Sequence, residues 1–180
     1  MIWVRFLGLN WDTSVVTDYG LKYFDDYVPG ASYDCGSVTV SQAEIISFAT
    51  QFDPQPFHVD PEAAVAGPFG GLIASGWHTS ALVMRELVDH YLPAGASLGS
   101  PGIDELRWPH PVRPGDTLRV RATVTEARRS ASKPDRGIMK TAIEAVNQDG
   151  QTVMSAKATN FLLVRPDSDA PDSGAPDSGA

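Results

Sequence analysis

Hydrophobic and polar positions change period along this chain, and each change predicts an element. Ile45, Ile46, Phe48 and Ala49 fall at helical spacing behind Ser41-Gln-Ala-Glu44, a capping box whose hydroxyl and carboxylate satisfy free backbone donors. One amphipathic helix is predicted to about Thr50. In Asp53-Pro-Gln-Pro-Phe-His58-Val-Asp-Pro61 the prolines predict an extended, stiff loop instead of a regular helix, and Pro61 to Ala66 has room for a helical turn or two. From Gly71 to about Tyr91 almost every position through Val83 is apolar or small: Leu72, Ile73, Ala74, Trp77, Ala81, Leu82, Val83. That pattern predicts a helix buried on nearly every face, turning polar at Arg85, Glu86, Asp89 and His90 and stopped by Leu92-Pro-Ala-Gly.

Beyond Ser97 the period becomes two. Leu118, Val120, Ala122 and Val124 alternate with Thr117, Arg119, Arg121 and Thr123, after a turn at Pro111-Val-Arg-Pro-Gly-Asp116. Asn147-Gln-Asp-Gly150 joins two further runs, the second carrying Met154, Ala156, Ala158, Leu162 and Val164 on one face. The predicted class is α+β: an antiparallel meander wrapped around one long buried helix. The first ~30 residues hold no sustained period, and structure becomes legible only at Ser41. The last residues repeat Pro-Asp-Ser-Asp/Gly-Ala from Pro166 to Ala180 and are expected to form a disordered tail. The expected organisation is an N-terminal extension over 1–22, a domain over 23–165 and the tail over 166–180.

Composition narrows the class. With 42% apolar and 20% charged residues the chain is globular in type, and no run approaches the ~20 apolar residues of a membrane span. A net charge of −8 argues against nucleic acid as a partner, although four of the acids (Asp167, Asp169, Asp172, Asp177) lie in the tail and leave room for a local basic patch. The lone Cys35 excludes an intrachain disulfide and has no nearby partner to make it a nucleophile. The start resembles a signal peptide only loosely, being interrupted by Arg5 and lacking an Ala-x-Ala site, so a cytoplasmic location is expected.

Asp53 and His58 are the candidates for chemistry. Taken alone they read as a carboxylate tightening a Pro-rich turn and a histidine at its rim. What raises them is the sequence after them: Gly67-Pro-Phe-Gly-Gly71, then Ile73-Ala-Ser-Gly76 at the start of the buried helix. A glycine there lets a ligand approach the backbone, and an N–H at a helix N-terminus suits an oxyanion.

The stretch Phe48-Ala-Thr-Gln-Phe-Asp-Pro-Gln-Pro-Phe-His-Val-Asp-Pro-Glu-Ala-Ala, followed by Phe69-Gly-Gly-Leu-Ile-Ala-Ser-Gly-Trp, resembles the signature of the MaoC-like dehydratases, the (R)-specific enoyl-CoA hydratases. Leu106-Arg-Trp and Pro111-Val-Arg-Pro-Gly-Asp-Thr-Leu are also similar to that family, and the likeness runs from about Tyr23 to Val164. The resemblance implies a hot-dog fold and hydration of 2-enoyl-CoA thioesters, with Asp53 and His58 holding the water and the Gly76 amide as oxyanion donor. It also implies association as a homodimer or dimer of dimers. The chemistry asks for a base, a proton for the α-carbon and a donor to the thioester oxygen, with no cofactor beyond the CoA of the substrate. A hot-dog thioesterase and a non-catalytic acyl-binding subunit of a heteromer are the competing readings.

Other residues are weighed beside these. Ser75 is expected either to hydrogen-bond in the pocket or to serve as a small packing residue, and Phe57, Phe69 and Trp77 to shape the pocket. Asp60 is expected to fix the loop, His78 to be a core histidine with one satisfied nitrogen, and His90 and His110 to be peripheral. Arg128, Arg129, Lys133 and Arg136 form the one basic cluster, read evenly as a solvated hairpin loop or as a contact to CoA phosphates.

Overall fold

The computed structural model describes Gly20 and residues 23–166, so the expectations for 1–22 and 166–180 fall, apart from Gly20 and Pro166, outside the described residues. Five strands, β1 (Ser32–Thr39), β2 (Gly102–Arg107), β3 (Thr117–Arg129), β4 (Arg136–Val146) and β5 (Thr152–Leu163), form one antiparallel sheet in the order β1-β3-β4-β5-β2. Four helices join them: α1 (Gln42–Phe52), α2 (Pro56–Val59), α3 (Pro61–Ala66) and α4 (Gly76–His90). The alternation predicted for β3 is realised, since Leu118, Val120, Ala122 and Val124 are all fully buried. Fully burying an aliphatic side chain of this kind stabilises the fold by roughly 1.5–3 kcal/mol. α4 packs on one face of the sheet, chiefly against β1 and β3.

The strands do not make a simple meander. β3, β4 and β5 follow one another through hairpins, but β2 lies at the far edge beside β5 while β3 lies beside β1. The segment from Trp108 to Asp116 therefore crosses the end of the sheet. On the way Val112 O accepts the Ala74 N–H at 2.8 Å, and Val40 and the 115–116 turn bond each other through Val40 N to Asp116 O and Gly115 N to Val40 O, both 2.8 Å. This crossing brings the segment before α4 to the mouth of the sheet.

β1 escapes the sequence pattern for a physical reason. Tyr33 and Cys35 point inward, then the register shifts between Asp34 and Ser37 and the next inward residues are Val38, opposite Leu118, and Val40. A bulge adds one residue and slips the alternation. Gly36 sits in it at φ +84, where a Cβ would stand 2.8 Å from the Glu86 carboxylate.

Two predicted features are corrected. Asp53 to Pro61 is not wholly extended: Pro56 opens the single-turn helix α2, which carries His58, because a first helical residue needs no N–H. The long helix begins at Gly76 and not at Gly71, for Ile73 N bonds to Phe57 O and Ala74 N to Val112 O, as extended backbone does. Nor is it buried all round. Thr79, Val83 and Leu87 are buried on the inner side and His78 is buried against Phe48 of α1, whereas Trp77, Met84 and Val88 are 61%, 47% and 50% exposed, because the sheet and α1 leave one side of the helix uncovered.

Candidate active site

Asp53 closes α1 as its C-cap, its N–H bonded to Ala49 O, and its carboxylate is held from two sides. Gln55 Nε2 donates to Oδ1 and the Ser75 hydroxyl donates to Oδ2, each at 2.7 Å. These two bonds, with a smaller contribution from His58, hold the carboxyl below its ordinary 3.8 against the opposing effect of burial. Asp53 is thus an ionised acceptor at neutral pH.

His58 is buried, and its Nδ1 lies 2.8 Å from Ile73 O. A carbonyl only accepts, so Nδ1 carries the hydrogen and donates it. In the neutral ring Nε2 is then a lone pair, and it stands 3.4 Å from Asp53 Oδ2. Two acceptors converge, and a water with two O–H groups satisfies both. Phe57 meets the His58 ring nearly edge-on at 4.5 Å and Phe69 packs on Phe57 at 5.2 Å, giving this side of the site an apolar border.

Ser75 does two things. As N-cap of α4 it accepts the Trp77 N–H at 3.2 Å, and it donates its own hydrogen to Asp53. Next to it, the Gly76 N–H begins the helix without a partner among the described residues, at the positive end of the α4 dipole. The glycine is needed for a reason the sequence does not display: a Cβ there would lie 2.5–2.8 Å from the indole of Trp108. Of the sequence candidates, the fold brings Asp53, His58, Ser75, Gly76 and Phe57 together, with Trp77 on the next residue. Gln55 and Trp108 are also in contact with this group; Gln55 has no local sequence signal that singles it out, and Trp108 enters the sequence reading only as the end of Leu106-Arg-Trp, with no role attached.

The Ser75–Asp53 bond carries a testable expectation. Ser75→Ala removes a hydrogen bond to a charged group, worth about 1.5–3 kcal/mol, so kcat/KM falls about 10-fold or more. Because that bond lowers the Asp53 pKa, its loss raises it. Ionised Asp53 is present above its folded pKa and lost as pH falls through it, so the acid limb of the pH–rate profile moves to higher pH; an unmoved limb contradicts the assignment.

The remaining candidates lie elsewhere. Asp60 accepts from the Glu62 and Ala63 amides at 3.0 Å and caps α3, fixing the loop as expected. His78 is buried, as expected of a core histidine, and stacked on Phe48 at 4.9 Å, with no hydrogen-bond partner for its Nδ1 among the described residues; burial pushes its pKa down. His90 Nδ1 bonds Glu86 O, and His110 Nδ1 bonds Thr152 O at the surface. Cys35 is fully buried, which pushes its thiol up to about 12 and leaves it protonated.

The basic cluster is not brought to this site within the chain. Arg128 and Arg129 end β3, whose 13 residues span roughly 40 Å at ~3.3 Å each, and the site lies at the Thr117 end. Arg129 also pairs with Asp25, and Arg136 with its neighbour Asp135. A cavity of about 720 Å³ on the outer face of the sheet, lined by Glu105, Arg107, Arg121, Glu144 and Lys157, likewise does not contain the pair. Among the described residues no group of His, Cys, Asp or Glu is placed to hold a metal ion, and no helix is long and apolar enough to cross a membrane.

Comparison with known proteins places this geometry in a family. The chain is 46% identical over 88 residues to 3-hydroxyacyl-thioester dehydratase Z of Mycobacterium tuberculosis, a match covering 48% of this chain and 57% of that protein. A MaoC-like dehydratase from Rhodospirillum rubrum superposes with a TM-score of 0.75 at 44% identity, covering 80% of this chain and 98% of the other. The fold alone is shared with a double-hotdog protein of M. tuberculosis, at a TM-score of 0.70 and 21% identity over 82% of this chain and 46% of that one. Residues 26–147 match the model of the MaoC like domain. This chain belongs to the MaoC-like dehydratases.

Proposed function

We propose that the protein interconverts 2-enoyl-CoA and (R)-3-hydroxyacyl-CoA thioesters, with no cofactor beyond the CoA of the substrate. The observation that carries this reading is the convergence of the Asp53 carboxylate and His58 Nε2 at 3.4 Å beside the unpaired Gly76 N–H. In hydration the pair holds a water by its two hydrogens. The water oxygen bonds to C3, the C2–C3 π electrons move toward the thioester, and the charge gathering on its oxygen is met by Gly76 N–H. The pair takes one proton from the water, and C2 receives one. Dehydration reverses each step.

A thioesterase would use the same fold and substrate, and crotonyl-CoA separates the two. Hydration consumes the conjugated double bond and releases no thiol; free thiol with the alkene intact would overturn the proposal.

The functional unit is a homodimer. The edge strand β2 is exposed along most of its length, and Ala81, Met84 and Val88 form an outward apolar stripe along the middle and C-terminal end of α4. Unpaired strand edges and apolar stripes of this kind are covered in stable proteins. A solution mass of one 19.3 kDa chain contradicts this. The basic loop is then assigned to CoA phosphates through Arg128 and Lys133, the members without a carboxylate partner among the described residues, and it would serve the second copy's site. Arg128→Ala with Lys133→Ala raises KM for crotonyl-CoA severalfold, and an unchanged KM removes the contact.

A further inference from the structure

We infer that Trp108, with Trp77 beside it, binds the pantetheine arm that carries the acyl group, on the sulfur side of the thioester. The inference rests on the function proposed above and assigns a role to a side chain that chemistry at Asp53 and His58 does not use.

The Trp108 indole is pinned although it is 40% exposed. Its Nε1–H donates to Ser80 Oγ at 3.2 Å, the Ser80 hydroxyl donates to Gly76 O at 2.9 Å, and Trp77 meets it nearly edge-on at 5.3 Å and 71°. The ring lies so close to the first turn of α4 that Gly76 has no room for a Cβ. With its N–H already committed, what Trp108 offers a ligand is a flat apolar face. Trp77, 61% exposed, extends it.

Direction follows from the carbonyl. A thioester whose oxygen sits on the Gly76 N–H has two substituents on its sp² carbon, the alkene and the sulfur, pointing apart. The alkene must turn toward the water at Asp53 and His58, on the side reached through Ser75 and bordered by Phe57 and Phe69. No ring contact among the described residues joins that aromatic group to Trp77 and Trp108. The sulfur therefore leaves toward the indoles. What it carries alternates methylenes with planar amides, and both pack on an indole face. The ledge reads the arm and is indifferent to the acyl chain.

Coenzyme A and an acyl carrier protein present the same arm, so the test varies the carrier at constant acyl group. Crotonyl thioesters of coenzyme A, of a phosphopantetheinylated carrier protein, of pantetheine and of ethanethiol are compared in wild type, Trp108→Ala and Trp108→Phe. Trp108→Ala is expected to raise KM about 10-fold for the three armed substrates with kcat nearly kept, and to leave kcat/KM for the ethyl thioester unchanged. Trp108→Phe restores most of the loss. Equal loss on the ethyl thioester overturns the inference and leaves the ring a support for Gly76. So does a loss that grows with acyl length on coenzyme A, a rise confined to one carrier, or a fall to single-chain mass. A wild type that hydrates none of the four sinks the proposed function itself, whereas an active wild type matched by Trp108→Ala sinks only the role of the ring.

Discussion

His58→Ala and Asp53→Asn each lower kcat for crotonyl-CoA hydration by about 10²–10⁴-fold, the range over which a positioned acid or base acts. The two substitutions fail differently. Removing the imidazole deletes Nε2 and also the Nδ1–H bond to Ile73 O that ties α2 to the strand-like segment before α4, so His58→Ala carries a loss of stability as well. Asp53→Asn keeps the shape but presents one N–H₂ where two oxygens accept from Gln55 and Ser75, so one donor meets a donor. Because the residues act on one water, the double variant loses little more than the worse single one. Initial rates at saturating substrate, with melting curves to separate stability from chemistry, test this. Full activity in either single variant ends the mechanism.

Gly76→Ala is the other large effect. The added methyl overlaps Trp108 ring atoms at 2.5–2.8 Å, and neither side yields freely, since the indole is bonded to Ser80 and the glycine begins α4 between Ser75 and Trp77. Overpacking of this kind costs about 1–3 kcal/mol. The helix start shifts to relieve it and carries the Gly76 N–H off target, where a ~1 Å displacement reduces the rate on the order of 10²-fold. Combining it with Trp108→Ala removes the clash, so the double variant melts higher than the sum of the single losses predicts. An unchanged melting temperature and kcat in Gly76→Ala would show that the indole moves without cost.

How far the sequence carried these conclusions depends on the element. β3 is legible because its alternation is unbroken over Leu118, Val120, Ala122 and Val124, and α1 because Ser41 and Glu44 make the expected box, Ser41 Oγ accepting Glu44 N–H at 3.2 Å. β1 is illegible because its bulge changes the phase midway. Leu72, Ile73 and Ala74 look helical because they are apolar, yet Ile73 bonds to Phe57 and Ala74 to Val112, residues no local window includes. Asp53, His58 and Gly76 were nameable as types in a spacing. That Ser75 joins the first to the helix of the third is a tertiary contact with no local trace, since 22 residues separate Ser75 from Asp53. Trp108 is farther still, across the crossing segment.

Asp53 closes one helix through its backbone N–H and the serine that bonds its carboxylate caps another, so neither α1 nor α4 contains the candidate site by itself. Turnover accordingly reports the docking of two helix ends, a weaker structure than the sheet beneath them. In rising urea, inactivation precedes the loss of far-ultraviolet circular dichroism, and a bound thioester product draws the two midpoints together.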